Sequence, residues 1–97
     1  MTELKNRLLG LYEGYPGDQA WEKFVKCFPE IEEELFKNIA LDKDMARVMC
    51  WHYKDKLKYV NEYLQYEVPA LDFNTPLEVL LLPEGRIILR SSMMRMH

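Results

Sequence analysis

Cysteine is scarce in this chain. Only Cys27 and Cys50 occur among 97 residues, and they stand too far apart to form a CxxC pair. That spacing removes the paired-thiol redox and zinc motifs, and both thiols are expected to be reduced. Long hydrophobic runs are missing as well: no stretch has the length of a membrane span or the layout of a secretory leader. The expected compartment is therefore the cytoplasm, with no membrane partner. Neither GxGxxG nor a P-loop is present, so no glycine-rich cradle for a nucleotide phosphate is written in the chain. Low-complexity tracts and internal repeats are absent too. An excess of basic charge is also lacking. The formal net charge is -3 with the two signs interspersed, which gives no field to hold nucleic acid.

What is present is apolar. Hydrophobic residues make up 48% of the chain and aromatics 12%, enough to bury one core and to exclude disorder as the native condition. At this length a second independent core would be too small to fold easily, so residues 1–97 are expected to form a single domain. Charge is locally uneven. Residues 84–97 carry Arg86, Arg90 and Arg95 against Glu84 alone, while PEIEEE at 29–34 is acidic.

Most of the chain has helical periodicity. Thr2 is expected to cap a helix over about 2–12, with Leu4, Leu8 and Leu11 on one face, ended by EGYPG at 13–17. Asp18 is expected to cap a second helix, in which Trp21, Phe24, Val25 and Phe28 form a stripe at i, i+3, i+4 and i+7. Pro29 and the following acids suit the first turn of a third, running to about residue 39 with Ile31, Leu35, Phe36 and Ile39 inward. Met45, Val48, Met49, Tyr53, Leu57, Val60 and Leu64 keep a near-heptad stripe, which predicts one long central helix over about 44–66. Val68-Pro69 ends it.

The segment TPLEVLLLPEGRIILR, residues 75–90, reads two ways. Its apolar runs around Leu-Pro-Glu-Gly suit a β-hairpin over 77–90. Against that, Thr75, Pro76 and Glu78 supply an N-cap, an N1 proline and a capping-box acid in four residues. Two short C-terminal helices are favoured, the second starting at Pro83. Gly85 costs such a helix roughly 1 kcal/mol relative to alanine, and its presence implies close approach of another helix. On that helix Ile88, Leu89, Ser92, Met93 and Met96 should face inward, with Arg86, Arg90 and Arg95 outward. The expected fold is thus an all-α bundle of five to six helices.

From about 45 to 97 the chain resembles the C-terminal toxin-binding domain of Xre/MbcA/ParS antitoxins. The pieces that carry the likeness are Tyr63-Leu64, Pro69-Ala70-Leu71, Thr75-Pro76-Leu77-Glu78-Val79-Leu80, Pro83-Glu84-Gly85, and Leu89 with Met93. Tyr63 stands where that family usually has tryptophan. The resemblance implies a non-enzymatic, protein-binding role, with a toxin that consumes NAD or transfers ADP-ribose as partner and no cofactor. Residues 1–44 offer no basic recognition helix of the kind that would bind an operator.

Nothing in the sequence specifies catalysis. Cys50 and His52 are two apart, a spacing that sends them to different faces of one helix, and His52 with Cys27 or Asp55 makes a poor metal set. Methionines beside arginine suit a binding surface, since both are favoured in interface cores. The expected partner-binding residues are Arg86, Arg90, Met93, Met94, Arg95, Met96 and His97. Thr75, Pro76, Glu78, Pro83 and Gly85 are the scaffold behind them. A stand-alone adaptor, homodimeric through the Trp21/Phe24/Phe28 face, is the alternative; a small enzyme comes third.

Overall fold

Capping chemistry settles the ambiguous segment. The computed structural model describes residues 6–32, 34, 41–53 and 57–95. Within it, Thr75 Oγ1 accepts from Glu78 N at 3.1 Å while Glu78 Oε1 accepts from Thr75 N at 2.9 Å, with Pro76 in the first turn. This reciprocal pair starts a short helix, Pro76–Leu80, and a second helix, Gly85–Arg95, follows it. No hairpin forms. Loss of the hydroxyl in Thr75→Ala is expected to lower stability by about 1 kcal/mol, and Thr75→Ser to preserve it. Urea unfolding midpoints of the two variants check this; equal midpoints would show the box to be ornamental.

Six α-helices and one 3-10 turn are described: α1 Asn6–Glu13, α2 Asp18–Val25, α3 Lys43–His52, α4 Leu57–Gln65, the 3-10 turn Pro69–Leu71, α5 Pro76–Leu80 and α6 Gly85–Arg95. An isolated bridge between Val68 and Asn74 is the only strand-like pairing among the described residues. The all-α bundle expected from periodicity is the fold observed.

The single central helix over about 44–66 is instead two helices, α3 and α4. Tyr53, at the end of α3, leaves the helical region with φ -98° and ψ 15°. A continuous helix of that length would span roughly 35 Å at 1.5 Å per residue, close to the 36 Å long axis of the molecule. Breaking it lets α4 turn back, so that the rings of Tyr53 and Tyr63 lie 6.3 Å apart although ten residues separate them.

The second helix begins differently from expectation as well. Asp18 is the first helical residue and Gly17 takes the N-cap position, where φ 106° is a conformation suited to glycine. Freed from capping, the Asp18 carboxylate is available to other groups. Residues 29–32 are not helical, and most of the third helix expected to reach 39, like residues 1–5, lies outside the described residues.

The core gathers on α3, where Met45, Ala46, Val48, Met49 and Cys50 are fully buried. Leu11 comes from α1, Trp21 and Val25 from α2, Val60 and Leu64 from α4, Val79 from α5, and Ile88, Leu89 and Met93 from α6. Phe28 is also buried, edge-on to Phe24 at 5.0 Å. Of the aromatic stripe expected as a dimer face in the alternative reading, Trp21 and Phe28 are buried in the monomer and Phe24 is half-buried.

Two close approaches fix the terminal helix. A Cβ on Gly85 would lie 2.0 Å from Val79 O and 2.9 Å from Val79 C, so α6 starts against the bare backbone of α5. This is the close approach expected of that glycine. At the other end the Arg95 guanidinium lies against Gly14, at the end of α1. Arg7 Nη1 donates to Pro69 O at 2.7 Å and Leu8 N donates to Asp72 Oδ2 at 3.2 Å, which tie α1 to the 3-10 turn and the residue following it.

Candidate functional site

The residues expected to form a contact surface on α6 separate into different environments. Arg86 is exposed and pairs with Asp42 at 3.0 Å. Met93, expected both on the inward side of this helix and in the contact set, is fully buried in the core, as the first expectation has it and the second does not. Met94 is half-buried, Arg95 is exposed, and Met96 and His97 lie outside the described residues.

Arg90, expected to face outward, faces inward. Its Nη2 is 3.2 Å from Asp44 Oδ2 and its Nη1 3.5 Å from Asp18 Oδ1, and the guanidinium carbon lies 5.5 Å from the centre of the Trp21 ring. Asp44 Oδ2 also accepts from Trp21 Nε1 at 2.8 Å, and its Oδ1 accepts from Met45 N at 2.7 Å. Tyr15 completes the set by donating its hydroxyl to Asp18 at 2.7 Å. Burial, followed by the hydrogen bond to Asp18, raises the Tyr15 pKa above the ordinary phenol value. Burial opposes the Arg90 charge, but Tyr15, Asp44 and Asp18 outweigh it and hold the guanidinium above its ordinary value.

This network is a joint between α2, α3 and α6. It lines a polar recess of about 520 Å3 that also includes Asp42, Arg47 and Arg86. Arg47 there donates through Nε to Phe28 O at 2.9 Å, closing the turn after α2. These cations are largely engaged by neighbouring carboxylates and carbonyls, so the recess holds its own charges together. The sequence marked Trp21 as buried and Asp44 as a helix start. It carried no local signal that the two meet Arg90.

A second recess, also about 520 Å3, is mostly apolar. It lies between α1, α4, the 3-10 turn and α6, with Leu11, Tyr63, Val68 and Ala70 in its wall and Arg7 and Arg95 among its lining residues. Tyr63 is buried, which pushes its hydroxyl pKa up to about 12 with a smaller push from Tyr53. Sequence periodicity had no means of locating this space.

Groups with reactive chemistry are scattered. Cys50 is buried in α3 while His52 is exposed, on different faces as their spacing requires. Cys27 is exposed, with its thiol 3.5 Å from Lys23 O. Among the described residues, no group of three or more His, Cys, Asp or Glu is placed to hold a metal ion, and Asp55 lies outside them. No described helix is long and apolar enough to cross a membrane.

Among the exposed large hydrophobic side chains, which also include Leu9, Tyr12, Trp51, Tyr59 and Tyr66, three belong to one segment. Phe73, Leu77 and Leu81 recur at intervals of four through the turn and α5, and Phe73 is 63% and Leu81 85% exposed. Phe73 is also held with φ 63°, in the left-handed region that bulky residues rarely enter. Its backbone is pinned by Phe73 N to Val68 O at 3.0 Å, and the neighbouring Val68 N to Asn74 O bond measures 3.1 Å. Asn74 Nδ2 adds a bond to Leu71 O at 2.9 Å. From the sequence this segment is expected to be scaffold, and its local spacing does not show these three side chains as a surface.

Compared with family models, curated proteins and solved structures, the chain matches none.

Proposed function

We propose that this chain is a non-enzymatic protein-binding module of the antitoxin type, which neutralises a NAD-consuming or ADP-ribosylating toxin by direct contact in the cytoplasm. The observation that carries the reading is the exposure of Phe73, Leu77 and Leu81 on a tightly hydrogen-bonded turn and the capped helix that follows it. An apolar side chain in water forgoes roughly 2 kcal/mol that burial against a partner would return. Backbone strain at Phe73 adds to that cost, and strain of this kind gathers at contact sites.

The contact surface in this proposal has moved from the Arg/Met end of α6 to the 3-10 turn and α5. The segment that resembles the antitoxin domain is still the one engaged, but its display face is apolar. Arg86 and Arg95 remain exposed cations at either end of α6, and they suit the polar rim of a contact rather than its centre.

The test is co-expression with the product of the adjacent gene. The two proteins should co-purify and the toxin's enzymatic activity should fall. Leu81→Asp should weaken the complex at least 30-fold, the scale of an interface anchor worth about 2 kcal/mol. Its unfolding midpoint should stay within error of the parent. A partner that binds both proteins equally, or a neighbour that remains toxic, overturns the proposal.

A further inference from the structure

We propose that the apolar recess between α1, α4 and α6 binds a small amphiphilic carboxylate, with the apolar tail inside and the carboxylate held by Arg7 and Arg95. Three observations lead there, independently of the protein contact surface. The first is size and wall: about 520 Å3, within the range of small-molecule sites, bounded by the side chains of Leu11, Val68 and Ala70.

The second is charge. The chain as a whole is acidic, yet among the described residues Arg7 and Arg95 are the only charged ones that line this recess. Neither forms an ion pair with a carboxylate among the described residues, whereas Arg86 and Arg90 both do. Arg7 is fixed by donating one Nη1 hydrogen bond to Pro69 O, which leaves its remaining donors for a ligand. The planar fork of a guanidinium matches the two oxygens of a carboxylate, and a neutral head group gains nothing from its charge.

The third is the opening. Gly10 lines the recess, and a Cβ built there meets no atom within 4 Å. Gly10 is exposed, and the space over it is open at the mouth of the recess, on a helix position where glycine costs roughly 1 kcal/mol. Arg7, Gly10 and Leu11 occupy i, i+3 and i+4 of α1, so one helix face supplies a cation, a gap and an apolar wall.

Decanoate and decanol serve as probes, titrated by calorimetry into the full chain below the concentration at which either aggregates. Decanoate should bind saturably at one site, and decanol at least tenfold more weakly. Arg7→Gln and Arg95→Gln, both at exposed positions, should each reduce decanoate affinity several-fold, and the double variant should remove the preference over decanol. Gly10→Leu should raise thermal stability and abolish binding by filling the space, which separates a blocked site from a misfolded protein. No saturable binding of decanoate, equal affinity for the alcohol, or unchanged binding in Gly10→Leu would each overturn the assignment.

Discussion

A Gly85→Ala protein should be about 2 to 3 kcal/mol less stable than its parent, against the usual gain from replacing glycine in a helix. The added Cβ would stand 2.0 Å from Val79 O, 2.9 Å from Val79 C and 3.0 Å from Leu80 Cα. All three are backbone atoms, so no side-chain rotamer change can admit the methyl group. Either α6 withdraws from α5 or α5 is displaced from the core that Val79 enters. Overpacking of this kind costs up to about 3 kcal/mol, or more where backbone must shift, and outweighs the roughly 1 kcal/mol of recovered helix propensity. Gly10→Ala is the internal comparison, since its Cβ meets open space. That variant should gain up to about 1 kcal/mol. Urea unfolding of both proteins decides the matter: equal stability of Gly85→Ala and parent would show that α5 and α6 are not in backbone contact.

Asp44→Ala is expected to cost about 3 kcal/mol, by a different route. One carboxylate oxygen serves the Trp21 indole N–H and the Arg90 guanidinium together, while the other takes the Met45 N–H. Trp21 is almost completely buried, so without Asp44 its N–H faces no acceptor and loses the compensation that made burial tolerable. Among the described residues, Arg90 would keep only the 3.5 Å contact to Asp18 as an ion pair. Asp44→Asn should recover part of the loss, because an amide oxygen still accepts from the indole. Pairing Asp44→Ala with Arg90→Leu in a double-mutant cycle should give a coupling above about 1 kcal/mol. Additive effects would mean that Arg90 and Asp44 are neighbours without being partners.

The contrast between these two joints shows which parts of the fold were legible in the sequence. Thr75, Pro76, Glu78 and Gly85 act on residues within a few positions, and each could be read because its chemical signal is local. Trp21, Val25 and Phe28 were legible for a related reason, as their spacing reports one buried face. Arg90 was not. Its counter-charges sit 46 and 72 positions away in the chain, and an arginine on an amphipathic helix is ordinarily assigned to solvent. The break at Tyr53 escaped for another reason. Met49 and Val60 are eleven residues apart, almost a whole number of helical turns, so the stripe keeps phase across the break and periodicity has nothing to register. The exposed positions of Phe73 and Leu81 depend on what surrounds them in space, which composition does not encode.

The ties between α1 and the later chain set an order of events during synthesis. Leu8 N is satisfied by Asp72, Arg7 rests on Pro69, and α1 packs chiefly on α6. α1 is the first of the described helices to leave the ribosome, yet the surfaces that receive it are made among the last. Until then Leu11 has nowhere to go, and a helix of eight residues is too short to persist alone in water. The α5–α6 pair, joined by neighbouring residues, has the shorter loop to close. Vectorial growth of the chain therefore delays the docking of α1 until α6 has been made to receive it.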